Sequence, residues 1–532
     1  MKKVLILFLV VGLIGVGCSK NFLKEDLNNP NAPTTDQATP DAVLPAALTN
    51  LVLVVDNVSG QSSQATYEPM AVWLGYWNYQ AGFSFNSSVA NYVVTSSSPQ
   101  LWDDYYGVLS NLQFLISITS DHSEANYRDI SNILEAVCFQ NLVDLYNNIP
   151  YSQALQGQGN FYPSYDNGSD IYDSLTLKLD AAMADIGANL NDAAVTIPGI
   201  DDVLFGGTMS NWILFANTVK LRLLVRESNV ASKSSYIASE ISKTASLGYL
   251  TTDAEVNPGY TAAKPNPIWA GFGVSPSGSL NAGASYVGSN GTAITFYQNT
   301  KDSRLGYFYS PKTVVATDPS YFTVTLPLDF TDYFGNVIGT QATNPDNTGA
   351  SNVGSGLVQS PSQGAVLFAG SDSYFNQAEA TVRGWLPGGA AAAKTLYQTA
   401  ITKSYEYLNV GGSQSAADTW AATYYSQNLP YVAFPVAASS DSLIHTIIVQ
   451  KWAALNGIAI AEPYADWRRT FNPAINSGYP MVPLSISPSN TESHMPFRLL
   501  YPTEEQTSNT VAWTAAGGAN IDPFNDKIFW MP

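Results

Sequence analysis

Apolar residues recur at three- and four-residue steps through the first half of this chain and again near its end, with a long irregular stretch between. Such spacing lines one face of a helix. It predicts a helix from about Asp36 through Leu44, Leu48, Leu51 and Val55, and further helices over Gln100–Ile118, Glu124–Pro150, Asp170–Ile186, Ser210–Glu227 and Ser234–Ala245. Glu124–Pro150 reads as a strong amphipathic helix through Ile130, Ile133, Leu134, Val137, Leu142 and Leu145, stopped by Pro150, which has no N–H to donate. The period returns at Ser371–Arg383, Ala390–Leu408 and Ala417–Ser426.

Asp441–Pro473 carries the clearest version. Ile444, Ile447, Ile448, Trp452, Leu455, Ile458 and Ala459 share one face. Lys451 stands beside them, where its stem is expected to cover apolar surface and its ammonium to stay wet. Pro463 suits the first turn of a second helix bearing Tyr464, Asp466, Trp467, Arg468 and Arg469. Glu462 and Asp466 beside two guanidinium forks read as a partly buried ion-pair network that fixes this helix against its neighbours. No paired nucleophile and base occurs here.

The middle, Leu250–Gln363, is dense in Gly, Pro, Asn, Ser and Thr, with short β-like pieces such as Tyr321–Leu326. The fold expected is mostly α: helical repeats over about 36–249 and 371–470, and a loop-rich, small-strand insertion over about 250–363 packed on one face of a single unit, 36–532. No clean 34-residue period is visible. Gly354–Gly356 and Gly411-Gly412 open no Lys-Ser/Thr phosphate loop and read as turns.

Composition narrows the function. A formal charge of −19, with only 12% charged residues, argues against nucleic acid, which needs a basic face. Two Cys and three scattered His leave almost nothing for zinc, and no cofactor is expected. Lys2 and Lys3 precede the apolar run Val4–Gly17, too short for a bilayer, which needs about 20 residues. Gly17-Cys18 resembles a bacterial lipobox, although Gly15 stands where Leu is usual. Residues 1–17 therefore read as a lipoprotein signal peptide, Cys18 as the lipidated N-terminus and 18–35 as its tether. Cys138 then has no thiol partner and reads as an inert core residue.

Aromatic residues crowd Tyr67–Phe85 (Tyr67, Trp73, Tyr76, Trp77, Tyr79, Phe83 and Phe85) too densely for one helix face. Trp73 and Tyr76 read as core; Trp77, Asn78 and Tyr79 are candidates for a ligand platform. In Asn266–Phe272, Asn266 and Trp269 sit among Pro and Gly with no stripe to join, so Trp269 is expected to face solvent. Aromatic faces cover the C–H surfaces of sugars and amides bond their hydroxyls, and the chain is rich in both. The adjacent acidic pairs Asp103-Asp104, Asp201-Asp202 and Glu504-Glu505 do not face each other on a helix or a strand, so spacing gives a glycoside hydrolase no support.

Several landmarks recur in a fixed order. Phe22-Leu23 precedes Asn28 and Pro30; Leu145–Leu155 is an aromatic-rich helix end with a Pro-Tyr pair; Asp302-Ser303-Arg304-Leu305 and Phe375 with Ala378-Glu379-Ala380 follow. Gln450-Lys451-Trp452, Asp466–Thr470, Arg498 with Tyr501-Pro502, and Asn509 complete the set. The chain thereby resembles the SusD/RagB family. The resemblance implies a tetratricopeptide-like helical layer and a non-enzymatic, outward-facing lipoprotein of the outer membrane. Such a protein captures oligosaccharides as the lid of a SusC-type TonB-dependent transporter; peptides, as in the RagB branch, are the alternative. Family members build their site after the first helices and from middle loops, which by position are similar to Trp77–Tyr79 and Asn266–Trp269.

Overall fold

The computed structural model describes residues 38–56, 67–80, 87–97, 101–311, 324–339 and 349–532. The leader, Cys18, the tether, Phe83 and Phe85 lie outside the described residues. Trp102–Ile118 packs on Ala125–Tyr146, which packs on Gly168–Asn189, which packs on Met209–Arg226. A second run of neighbours is formed by Gly370–Val382, Gly389–Tyr407 and Gln414–Tyr425, with Ser440–Ala454 against the first of these. The two runs meet where Met209–Arg226 touches Gly370–Val382. Helices adjacent in sequence are thus adjacent in space, as short connections between apolar-striped helices dictate.

Two expectations about this layer need correction. Ala125–Tyr146 does not bury one face; nearly every residue of it is buried, because other helices cover it on several sides. Its polar residues are accordingly placed inside, where they need partners: Glu135 meets Lys178 at 2.6 Å and Gln140 accepts from Arg222 at 2.9 Å. Lys451, expected to keep its ammonium wet, is only 3% exposed. Its Nζ lies 2.7 Å from Asp372 and 3.1 Å from Asp466.

That lysine belongs to a network larger than the sequence suggested. Glu462 binds Arg226 at 2.6 Å and Arg222 at 3.1 Å, and Glu379 takes both terminal nitrogens of Arg469 at 2.6 and 2.7 Å. Burial alone drives Asp466 upward, but Lys451 and Arg469 overcome it and hold the carboxyl well below the usual range. Pro463 falls in the first turn of Ala461–Arg469, where a missing N–H costs nothing.

The irregular middle holds two small antiparallel ribbons. The strands in chain order are β1 (Trp77–Tyr79), β2 (Ala254–Val256), β3 (Val287–Ser289) and β4 (Ala365–Phe368); β1 pairs with β3 and β2 with β4. Of the expected piece Tyr321–Leu326, residues 324–326 form no strand and the rest lies outside the described residues. The middle also contains helices that its periodicity did not reveal, Pro267–Phe272 and Gly291–Thr300 among them. These are too short for a stripe, and their starts are set by caps. The Asn266 side chain accepts from the N–H groups of Ile268 and Trp269, and that of Asn290 from Thr292.

Middle and helical layer share one hydrophobic cluster. The Tyr76 ring stacks on Trp452 at 5.1 Å, and the Trp452 indole donates to the Leu74 carbonyl. Tyr297 donates to the Ala453 carbonyl, and Asn456 donates to the phenols of Tyr297 and Tyr309.

Candidate ligand-binding face

The β1–β3 ribbon organises the loop-rich face. Helix Glu68–Trp73 ends in a turn at Gly75, whose φ of +76° and close approach to Thr292 (2.8 Å from an added Cβ) require glycine. The chain then runs straight into Trp77–Tyr79 beside Val287–Ser289, so alternate side chains of β1 point to opposite sides.

Burial decides the candidates, since Trp77 and Tyr79 share one side of the ribbon and only Tyr79 is left partly open. Trp73 and Tyr76 are buried, as expected. Trp77, expected to serve as a platform, is 0% exposed: its ring meets Phe272 edge-on at 5.3 Å and lies against Gly457. Asn78 is buried as well, its side-chain oxygen accepting from the Tyr79 N–H. Asn266 is also fully buried, spent on the cap described above and on carbonyls of Gln363 and Gly364. These three are structural because they begin or flank elements that must pack. Tyr79 and Trp269 are half-buried.

The structure brings Tyr79 close to a tyrosine that the sequence reading missed. Tyr286 closes the helix Ala282–Tyr286, one residue before β3, and its ring lies nearly parallel to that of Tyr79 at 6.4 Å. Both phenols donate to Glu68, Tyr79 to Oε1 and Tyr286 to Oε2, each at 3.1 Å. Burial pushes the Glu68 carboxyl up, and these two hydrogen bonds oppose it. Trp269 joins through its own helix, which packs on Ala282–Tyr286; the Asn281 amide donates to the Trp269 carbonyl at 2.9 Å. The indole covers Gly273 so closely that a Cβ there would lie 2.5 Å from the ring, and its N–H donates to the Val274 carbonyl.

Beyond the ribbon opens a cleft of about 700 Å³, with Phe296, Tyr333, Phe334 and Met481 on its walls and Thr295 and Asn299 exposed at its edge. One strut joins cleft and tyrosines: Asn336 donates to the Tyr79 carbonyl at 3.0 Å, while its neighbours Phe334–Val337 line the cleft. A space of this size, mostly apolar with a few amides and hydroxyls, suits a neutral ligand with both C–H and O–H surfaces. The signal that could have exposed Tyr286 is its isolation: a lone aromatic in NAGASYVG, with only small residues around it.

Other candidate chemistry is occupied. Asp202 accepts from the N–H groups of Leu204, Phe205 and Gly207 and from the Trp212 indole, and Glu505 accepts from the Tyr165 phenol at 2.6 Å. Among the described residues no cluster of His, Cys, Asp or Glu is placed to hold a metal ion, and no helix is long and apolar enough to cross a membrane. Cys138 is buried, which pushes its thiol up.

Residues 35–502 match the family described as SusD-like, starch-binding and associating with the outer membrane. The chain belongs to the SusD/RagB family. No curated protein matches it. Among solved structures it is similar to a SusD homologue from Bacteroides fragilis, at 20% identity and a TM-score of 0.69, over 93% of this chain and 99% of that one. A chitin-binding SusD homologue from Flavobacterium johnsoniae aligns at 20% identity and TM-score 0.69, over 92% and 98%. Another chitin-binding protein aligns at 21% and 0.70, over 93% and 100%. These likenesses establish the fold.

In this SusD-like chain the landmark residues are ties, not ligand groups. Arg304 is fully buried, grips Asp302 through Nε and Nη2, and reaches Ser404 and Gln450 on two helices. Arg498 donates to the Tyr146 carbonyl, Tyr501 to the Asn148 carbonyl and Asn509 to the Pro163 carbonyl.

Proposed function

We propose that this protein captures oligosaccharides at the outer surface of the outer membrane and passes them to a SusC-type TonB-dependent transporter, tethered by a lipid on Cys18. The observation that carries the reading is the pair of half-buried rings, Tyr79 and Tyr286, locked on Glu68 beside Trp269 and an adjoining cleft. Rings fixed before the ligand arrives lose little rotamer freedom on binding, and each stacked sugar adds on the order of 1 kcal/mol. The starch-binding description of the family and the chitin-binding relatives favour a glycan. The family's members bind rather than cleave, and the acidic pairs Asp201-Asp202 and Glu504-Glu505 each include a structural acceptor.

The test is a glycan and peptide array followed by calorimetry with the best ligand on Tyr79→Ala, Trp269→Ala and Phe296→Ala, each checked by circular dichroism for a retained fold. Affinity should fall several-fold in each. Undiminished affinity in all three removes the site; capture of peptides and no glycan replaces the ligand class. For the anchor, Cys18→Ala should release the protein from outer membranes after a carbonate wash.

A further inference from the structure

A second cavity, of about 500 Å³, lies on the other side of the segment that bounds the cleft: Pro480 and Met481 line the cleft, whereas Tyr479 turns into this cavity. Three aromatic side chains stand in its walls. His445, on the helix Ser440–Ala454, stacks on the Tyr479 ring at 3.7 Å and 17°, and Tyr431 enters from the loop after Gln414–Tyr425. Tyr431 is held in an unusual way. Its φ is +59°, a left-handed conformation that bulky side chains avoid, and the residue is 38% exposed. Two buried donors fix it there: Gln450 Nε2 reaches the Tyr431 carbonyl at 2.9 Å, and the Tyr397 phenol reaches it at 3.1 Å. Gln450 is in turn bound by Arg304 at 3.0 Å, so the strain is imposed from the core. Strain so over-determined, in a residue left partly exposed, is typical of ligand clamps. A tyrosine needed only for packing would bury its ring; this one is pinned by its backbone instead.

We propose that Tyr431, His445 and Tyr479 form a second saccharide-binding site, a clamp for one sugar ring of a neutral glycan. The class follows from the walls. Flat rings supply stacking surfaces, and exposed Asn428 and Ser442 at the rim supply an amide and a hydroxyl. No Asp, Glu, Lys or Arg lines the cavity, and burial disfavours the charged form of His445, so the walls favour a neutral group. The inference rests on the glycan reading for the class of ligand but not for its position.

The chain has three histidines, so the His445 ring signals are separable by NMR on full-length protein labelled at histidine, with assignment by His445→Ala. The probes are maltoheptaose and the chitin hexamer, each titrated into the millimolar range. The His445 signals should move saturably with at least one probe while those of His122 and His494 stay. Tyr431→Gly accepts the left-handed backbone without strain, so it should keep the melting temperature and weaken the His445 response several-fold. The exposed Asn428→Ala should weaken it too, without any demand on folding. Immobile His445 signals with both probes, or a response unchanged in both variants, overturns the clamp. A His445 response that survives Tyr79→Ala with Trp269→Ala supports the clamp even if the first site fails. Calorimetric binding that depends on Tyr79 while His445 stays silent retires the clamp alone.

Discussion

Arg469 between Glu379 and Asp466, and Glu68 between Tyr79 and Tyr286, are both polar clusters withdrawn from water, and they are satisfied in different currencies of interaction. On the helical side, charge meets charge: Arg469 takes Glu379 with both terminal nitrogens, and Lys451 bridges Asp372 and Asp466. These pairs tie the helices of the layer to one another. On the loop-rich side, one carboxylate is held by two phenols whose residues are only half-buried. With only 12% charged residues, this chain places many of its cations (Arg222, Arg226, Arg304, Arg468, Arg469, Lys220 and Lys451) inside. Charge ties the fold together, and the recognition proposed above falls to neutral aromatic and amide groups.

The sharpest way to break that contrast is to remove one cation. Arg469→Ala takes one cation from each of Glu379 and Asp466 and leaves them Arg383 and Lys451, so the loss should lie near the low end for a broken buried pair, about 3 kcal/mol. Urea unfolding should show that loss, whereas Tyr79→Ala, which trims a half-buried ring, should cost about 1 kcal/mol. Equal losses would mean that both clusters are structural.

Trp77→Ala tests the same division inside the ribbon. Its ring is fully buried against Phe272 and Gly457, so truncation should cost about 3–5 kcal/mol by opening a cavity. Trp269→Ala should instead weaken glycan binding at smaller cost in stability. A Trp77→Ala protein of normal stability that binds poorly would reverse the two assignments.

The helical layer was legible because its helices run long enough to repeat a stripe: Met209–Arg226 shows Trp212, Phe215, Ala216, Val219 and Leu223 in register. The ordered landmarks were legible for a related reason, since Asp302, Arg304, Glu379, Arg469 and Arg498 each bind a fixed partner across the fold. The site was only half legible. Crowding marked Trp77–Tyr79 as unusual but could not say which of the three stays partly open, because that depends on a partner strand some two hundred residues away and on Phe272 and Gly457. Asn266 was found for the wrong reason, its role being to cap a helix too short to show a period. Lys451 looked like a surface lysine because the carboxylates that neutralise it come from two other helices.

A smaller effect tests the helical side through pH. Not every buried carboxyl there is held low by a cation: burial first, and then Asp185, push Asp129 up to about 8, burial and then Glu255 raise Asp56 to about 7, and burial outweighs Lys233 to raise Glu227 to about 7. The native state therefore keeps protons that an unfolded chain releases near pH 4, so stability falls as pH rises from about 4 towards 8. Asp129→Asn removes one contributor. Its melting temperature should exceed that of wild type by little near about pH 5 and by more near about pH 9. The same difference at both pH values would show that Asp129 does not titrate in this window.

The finest distinction is between a ring and its hydroxyl at Tyr286. Tyr286→Phe keeps the ring beside Tyr79 but removes one donor from Glu68, whose carboxyl burial already pushes up. A hydrogen bond to a charged group contributes about 1.5–3 kcal/mol when buried; here the group is only half-buried and Tyr79 stays, so the loss should be about 1 kcal/mol. If the face works by stacking, glycan affinity in Tyr286→Phe stays at the wild-type value while Tyr286→Ala loses several-fold. Equal weakening in both variants would mean that the phenol or Glu68 itself touches the sugar, moving the site's specificity from ring faces to the carboxylate beneath them. Undiminished affinity in both would leave Tyr286 a purely structural brace for Glu68, and the division between charged scaffold and aromatic surface would then have to be drawn on the far side of the ribbon, at Phe296 and Phe334.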